Sequence, residues 1–453
     1  MRTGGKLTGN KPVASAVQLL EPSSEQRQRM ADYIEHDHTN DGVDRKGFLK
    51  CMAWAGTGVV WALVGGVPKS YALSSLASMT KAQKKEIFFA QISDSHIGFS
   101  KEANKDVTAT LQLAVDRLNA VPKRPAFVLH TGDISQLSKP GEFDTAAQVI
   151  RGIRTDSVFY VPGEHDVLTD NGAQYLARFG NKSEKGYYSF DHSGARFIGL
   201  VNVMNLKAGG LGSLGAEQIE WLKRDVQGLS SSTPIVIFAH IPMWAVYPTW
   251  GWGTDDSAQA LALLKRFGSV TVLNGHIHQT LQKVEGNVRF HSAFSTAFPQ
   301  PAPGTAPSPG PMTVDADKLK SVLGVCSVAY VPGAHTLAIV DSTLDGEAVV
   351  AGATMAGMSH TGAKKSFPKL PPNSIGIDNF SFEPKTLTVA AGTTVTWVNR
   401  DDVPHLIIST TGKFPNSKVL DTDQVHTATF DAPGEYPYFC SIHPTMVGKV
   451  VVR

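Results

Sequence analysis

Aspartate, glutamate and histidine recur along this 453-residue chain in five short blocks. They are Asp94-Ser95-His96, Gly132-Asp133, Gly163-Glu164-His165-Asp166, His240-Ile241-Pro242 and Gly275-His276-Ile277-His278. Each follows a short apolar run with the texture of a strand. Strand ends gathered on one edge of a sheet are where open α/β folds carry their chemistry. Carboxylates and imidazoles crowded there would repel or desolvate one another without cations between them. The order therefore argues for a two-metal hydrolytic centre. Two cations about 3.5–4 Å apart can clamp the oxygens of an otherwise inert phosphoester and activate a water. Mixed oxygen and imidazole donors suit iron, manganese or zinc. Alternate residues of extended chain share a direction, so Asp94 converges with His96, and His276 with His278.

A second constellation closes the chain. Cys440, His443 and Met446 lie in Cys440-Ser441-Ile442-His443-Pro444-Thr445-Met446, and His405 ends a β-like run upstream. Two histidines and a thiolate with a weak axial thioether describe a type 1 copper site.

The five blocks resemble the calcineurin-like metallophosphoesterase superfamily. The resemblance implies a four-layer αββα sandwich. It also implies that Asp94, His96 and His278 hold one metal, Asp133 bridges, and Glu164, His240 and His276 hold the other. By the same resemblance His165 protonates the leaving oxygen and Asp166 orients it. Glu164 departs from that family, which usually has asparagine there. An anion in place of a neutral carbonyl should tighten the second metal and blunt its Lewis acidity. Residues 373–453 resemble the cupredoxins, closest to amicyanin-like and plastocyanin-like members. This implies a small Greek-key β-sandwich with His405, Cys440 and His443 as strong copper ligands and Met446 as the axial one. Leu406 stands where that family often has asparagine.

Alternating strands and helices must deliver the first set. Ile87–Ile92 is apolar but for Gln91, as expected of a strand buried on both faces. Phe127–His130, Val158–Val161, Pro234–Ala239 and Val270–Leu273 read as further strands. Leu111, Val115 and Leu118 recur at helical spacing, as do Ile219, Leu222 and Val226. The fold class is thus α/β plus all-β, with a metallophosphoesterase domain over 82–360, a linker over 361–372 and the cupredoxin domain over 373–453. The proline-rich stretch 299–311 predicts an excursion without regular structure. Trp244, Tyr247, Trp250 and Trp252 read as packing over the sheet edge. His130 and His291 read as packed structural histidines, His426 as a strand-surface residue, and Asp144 and Asp255-Asp256 as a solvated face or helix caps.

Bulk numbers narrow the classes. The chain is 42% hydrophobic with a formal net charge of +2, which is ordinary globular composition with no nucleic-acid footprint. The three cysteines cannot build a disulfide framework: Cys51 lies in an apolar leader, Cys326 reads as a buried thiol, and Cys440 as a ligand. Residues 1–44 predict disorder. Residues 45–72 resemble a twin-arginine export signal in which Lys46 replaces the second arginine, with membrane anchoring by residues 51–67 as the alternative. The expected function is an exported phosphoesterase acting on a small-molecule phosphomonoester or phosphodiester. Its cofactors are two divalent or trivalent transition metals and one copper, and a redox partner protein for the copper is possible. The alternative is a copper-binding electron carrier on a catalytically weak phosphoesterase scaffold. A chain holding both centres could also link hydrolysis to redox state.

Overall fold

The computed structural model describes residues 59–64, 67–72, 87–180, 183–331, 336–346, 348–349 and 369–453. Residues 1–44 and most of the expected linker and export segment lie outside them. Within the export segment, β1 (Val59–Val64) pairs antiparallel with β2 (Val67–Ala72). Among the described residues no helix is long and apolar enough to cross a membrane.

Two six-stranded sheets build the larger unit. The first runs β14 (Ala348–Val349), β13 (Thr336–Thr343), β12 (Gly324–Val331), β3 (Ile87–Ile92), β4 (Val128–His130), β5 (Val158–Tyr160). The second runs β10 (Gln282–Glu285), β11 (Val288–Ser292), β9 (Val270–Asn274), β8 (Ile235–Phe238), β7 (Ala195–Gly199), β6 (Tyr188–His192). Period-2 alternation sorts each strand's side chains between two cores. On β3, Phe89 enters the core between the sheets, while Ala90 and Ile92 face helices α1 (Val107–Ala120), α2 (Pro140–Ile150) and α3 (Ala173–Phe179). On β8, Val236 and Phe238 enter the same inter-sheet core, while Ile235 and Ile237 face α4 (Ala216–Gln227) and α5 (Ser257–Ala262). The layers are therefore αββα. Each fully buried Phe or Ile here stabilises by about 1.5–3 kcal/mol relative to exposure.

The α1 periodicity is that of the sequence: Leu111, Val115 and Leu118 are all buried. Asp106 caps the helix by accepting from the Ala109 amide at 2.9 Å. The expected strands all form, within a residue or two at their ends. The pattern did not reveal β6, β7 or β10, whose inner faces alternate weakly, nor the long β12–β13 hairpin that closes the first sheet.

The C-terminal unit is a sandwich of two four-stranded sheets. One orders β16 (Ser381–Glu383), β15 (Ser374–Asp378), β18 (Thr393–Asn399), β20 (Val425–Phe430); the other orders β17 (Thr386–Val389), β22 (Val447–Val452), β21 (Gly434–Cys440), β19 (Ile407–Ser409). Its core gathers Ile375, Ile377, Val395, Trp397, Phe430, Tyr438 and Val450, all at most 1% exposed.

Candidate metal centres

The five blocks occupy the loops after β3, β4, β5, β8 and β9. Strands β3, β4 and β5 are mutually parallel, as are β8 and β9, so their C-terminal ends meet where the two sheets face each other. Five of the ligand positions adopt left-handed backbone: Asp94 (φ 52°), His96 (41°), Asp133 (52°), His276 (71°) and His278 (54°). Such strain in non-glycine residues persists only where the surroundings enforce it, and it collects at functional sites. Here the loops knit together. The Asp94 amide donates to the Gly132 carbonyl at 3.0 Å, the His96 amide to the Asp133 carbonyl at 2.9 Å, and the His276 amide to Asp94 Oδ1 at 3.0 Å. Two glycines make room. A Cβ on Gly163 would lie 2.0 Å from Asp133 Oδ1, and one on Gly275 would lie 2.1 Å from Ser93 Oγ.

The buried side chains fall into two groups sharing one carboxylate. Asp94, His96 and His278 form one, with His278 Nε2 at 3.3 Å from Asp94 Oδ1. Glu164, His240 and His276 form the other, with His276 Nδ1 at 2.9 Å from Glu164 Oε1 and His240 Nε2 at 3.0 Å from Glu164 Oε2. Asp133 Oδ2 stands between them, 3.5 Å from His96 Nε2 and 3.3 Å from His240 Nε2. Glu164 therefore points inward with its group.

The nitrogens test whether these donors suit a metal. His96 Nδ1 donates to Gln136 Oε1 (2.9 Å), His240 Nδ1 to the Thr131 carbonyl (2.7 Å) and His278 Nδ1 to the Phe298 carbonyl (2.6 Å). Each bond turns Nε2 inward, the orientation a metal ligand needs. Two such nitrogens, His96 Nε2 and His278 Nε2, sit 3.2 Å apart, and His240 Nε2 is 3.3 Å from His276 Nδ1. Glu164 Oε2 is buried, with His240 Nε2 at 3.0 Å. Four imidazoles and three carboxylates converging this closely fit cations between them. Burial opposes ionisation of Glu164, but the His276 and His240 rings hold its carboxyl well below the usual range. Burial likewise opposes the charge on Asp94, and His278 and then His240 hold it ionised. Burial pushes His96 down to about 3, keeping it neutral.

His165 and Asp166 share a short 3-10 turn, Glu164–Asp166. The His165 ring packs edge-on against His96 with centroids 4.7 Å apart, and its Nδ1 donates to the Gln136 carbonyl at 2.9 Å. Asp166 does not provide the direct brace expected of it. Its oxygens accept from the amides of Ile134 (3.1 Å), Ser135 (2.9 Å) and Gly163 (3.0 Å), tying the β4 and β5 loops together. The reason is spatial: adjacent residues of a tight turn point apart, and a carbonyl from the neighbouring loop reaches the ring instead. Ser138 Oγ completes the brace by donating to the His165 carbonyl at 2.7 Å.

The second centre joins the start of β19 to the β21–β22 loop. Cys440 Sγ lies 3.5 Å from His405 Nδ1 and 3.7 Å from His443 Nδ1, and those two nitrogens are 3.3 Å apart. His405 Nε2 donates to Asp401 Oδ2 at 2.8 Å, which leaves Nδ1 to face the thiol. Burial opposes the charge on His405, yet the Cys440 sulfur and Asp401 raise it to about 9. Burial also opposes the Cys440 thiolate, and the His405 ring overcomes this, lowering the thiol. Met446 is buried in the same core, and its loop closes through the Cys440 amide donating to the Met446 carbonyl at 3.0 Å. A thiolate, two imidazoles and a neighbouring thioether are a donor set for copper.

Gln136 and Asp401, which aim ligand histidines, escaped the sequence pattern. Asp401 had one signal, a carboxylate four residues before His405. Gln136 had none, since amides are common in loops. The residues read as structural have the following surroundings, and His291 and Cys326 with Asp341 also bring donor atoms close enough together for a metal. His130 Nε2 is 2.9 Å from Ser95 Oγ, Asp144 accepts from Arg178 on the surface, and His426 Nε2 donates to the Pro415 carbonyl. His291 and Cys326 meet Asp341 in the inter-sheet core, with His291 Nε2 3.0 Å from Asp341 Oδ1. Asp256 precedes α5 without capping it through its side chain; its carboxylate instead accepts from the Leu214 and Gly215 amides, because that loop lies closer than the helix's own first turn. Trp252 is 1% exposed within the aromatic cluster, and Trp244 packs on Phe290, so those rings are packing.

Comparison with known proteins agrees with both architectures. Residues 89–280 match the family model for calcineurin-like phosphoesterase, and residues 348–452 match that for the cupredoxin-like domain. The chain is 34% identical to chloroplastic plastocyanin of Tetradesmus obliquus over 148 residues, covering 30% of this chain and all of that protein. It is 34% identical to amicyanin-alpha of Methylorubrum extorquens over 98 residues, 20% of this chain and 82% of that one. It is 27% identical to the glycerophosphodiester phosphodiesterase GpdQ of Enterobacter lignolyticus over 209 residues, 42% of this chain and 71% of that one. With residues 348–452 matched by the cupredoxin model, the whole of a plastocyanin covered at 34% identity, and residues 89–280 matched by the phosphoesterase model, the chain belongs to the cupredoxin family and carries a calcineurin-like phosphoesterase domain ahead of that module.

Proposed function

We propose that this protein is a metal-dependent phosphoesterase with a type 1 copper module in the same chain. One observation carries the first half: two groups of inward-facing imidazoles and carboxylates that share Asp133. Asp94, His96, His278 and Asp133 would hold one ion, and Asp133, Glu164, His240 and His276 the other. Bound cations would supply Lewis acidity toward the phosphoryl oxygens and an activated water. Iron, manganese and zinc suit the donors. His165, held through Nδ1 and leaving Nε2 toward the centre, is the candidate proton donor to the leaving oxygen. Asp166 acts by fixing the two loops that carry Asp133 and His165. The similarity to a glycerophosphodiester phosphodiesterase makes a small phosphodiester the favoured substrate class. For the second half, His405, Cys440, His443 and Met446 would hold copper, with a redox partner protein outside the chain.

We retain residues 82–360, 361–372 and 373–453 as the two domains and their linker. Export on the twin-arginine-like segment remains part of the proposal, and cell fractionation with and without Arg45→Ala tests it.

The enzymatic test is hydrolysis of a chromogenic bis-phosphoester by the full chain reconstituted with manganese, iron or zinc. Turnover that vanishes in Asp133→Ala is expected; no turnover with any metal, despite bound metal by elemental analysis, rejects the reading. A second reading, an electron carrier on a weak phosphoesterase scaffold, is favoured by Glu164, which adds a third carboxylate to the centre. It predicts a reversible blue chromophore and no esterase activity, even in Glu164→Asn.

A further inference from the structure

The proposed copper cluster meets the phosphoesterase unit through His443. Of its histidine and cysteine ligands, His405 and Cys440 are fully buried while His443 keeps partial exposure at the edge of the sandwich. That edge meets the binuclear centre. The His443 ring stands 6.5 Å, centroid to centroid, from the His165 ring, tilted 66°. His165 in turn packs on His96, and its ligand atoms group with those of His96 and Asp133. The contact is built on several sides. The Gly209 amide donates to the Pro444 carbonyl, one residue beyond His443. Leu168, two residues beyond Asp166, packs into the cupredoxin core. Lys101 pairs with Asp421 at 3.8 Å. Phe380 covers His443 at 4.6 Å and His405 at 5.7 Å, and the proline-rich excursion reaches it at Gly310, where an added Cβ would meet the Phe380 ring at 3.3 Å. The excursion thus abuts the ring that covers His443.

We propose that His443 and His165 form an electron conduit that makes the copper site and the binuclear site one redox unit, with iron in at least one binuclear position. The inference rests on the proposed reading of both clusters as metal centres. Three carboxylates, one of them Glu164, favour the higher charge of iron(III), and the softer thiolate site favours copper(I). In the transfer one electron leaves iron(II) and arrives at copper(II), giving iron(III) and copper(I). No bond forms or breaks and no proton moves. Through-ring contact at this distance needs no diffusing carrier, and the covalent tether keeps the pair at high effective concentration. The consequence is that the oxidation state of the hydrolytic centre follows that of the copper.

The experiment uses the full chain. Anaerobic protein carrying copper(II) is loaded with iron(II) or, as a redox-silent control, zinc, and both metals are counted by elemental analysis. The blue absorption is followed in time, and iron(III) by electron paramagnetic resonance. The expected result is first-order bleaching in the iron sample, at a rate independent of protein concentration, with iron(III) appearing in step and no bleaching with zinc. Leu168→Asp, which loosens the docking, should slow bleaching by at least an order of magnitude with the blue band and metal content intact, and His165→Leu should slow it likewise. A persistent blue band in chains that hold both metals overturns the conduit while leaving both centres standing. Bleaching that scales with protein concentration overturns it equally. Failure to bind iron or copper overturns the reading of the centres, and the conduit with it.

Discussion

The two candidate metal centres of this chain are held by opposite means. The binuclear cluster collects seven ligand side chains from loops on two sheets, with direct contacts between residues 182 positions apart. It strains the backbone at five of them. Left-handed conformations at non-glycine residues cost about 1–3 kcal/mol each. The copper cluster draws three of its four residues from one seven-residue loop, and none of His405, Cys440, His443 or Met446 adopts a left-handed backbone. Its rigidity comes from the sandwich: β21 pairs with both β19 and β22, so the Cys440 end of that strand is fixed before any ion arrives. In the proposed reading, the donor set suited to hard ions sits on strained loops from two sheets, whereas the softer set sits on one loop over a stiff scaffold.

The largest expected effect separates the centres. Asp133→Ala should abolish phosphoester turnover and strip metal from the binuclear cluster while leaving the blue chromophore unchanged. Cys440→Ser should do the reverse, removing the colour and leaving the binuclear metals. Elemental analysis with a visible spectrum reads both, and loss of both signals in either variant would break the contrast. Next, Gly163→Ala should cost about 1–3 kcal/mol of stability through overpacking, because its Cβ meets Asp133 Oδ1. Urea unfolding would report it, together with a fall in kcat. By contrast Gly434→Ala, in the cupredoxin hairpin with its nearest added contact at 3.8 Å, should be destabilising through its positive φ of 152° rather than through overpacking, and should leave kcat unchanged.

Removing the residues that aim the ligands sharpens the comparison further. Gln136→Ala and Asp401→Asn should each weaken metal retention about 10–100-fold at their own centre. Competitive chelator titration measures this. If Asp401→Asn had no effect on copper, the scaffold alone would orient His405. The smallest effect belongs to the domain junction. Lys101→Glu opposes Asp421 across partly exposed side chains, and such pairs are worth about 0–1 kcal/mol. Thermal unfolding should shift by a degree or so at most, in line with that energy.

Much of this was legible in the residues alone. Strands buried on both faces are largely apolar runs, and β3 and β9 were readable for that reason despite Gln91 in β3 and Thr271 and Asn274 in β9. The ligand blocks were legible because chelation restricts residue type at fixed positions: only carboxylate, imidazole and sulfur donors serve. The Cys440, His443 and Met446 spacing is local enough to be read directly. Less visible were β6 and β10, whose exposed or half-buried faces give little periodic signal, β7, a short buried strand interrupted by Arg196, and Gln136 and Asp401, whose roles depend on partners from other loops.

The sequence by itself determined which side chains can bind metal and in which two sets, because donor chemistry is a property of residue type. Only the tertiary structure decided that Glu164 turns inward to share His240 with Asp133, that Gln136 rather than Asp166 steadies the His165 ring, and that His443 meets that ring. Those outcomes follow from how two sheets face each other and how a second domain docks, and packing between distant segments leaves no periodic mark on the chain.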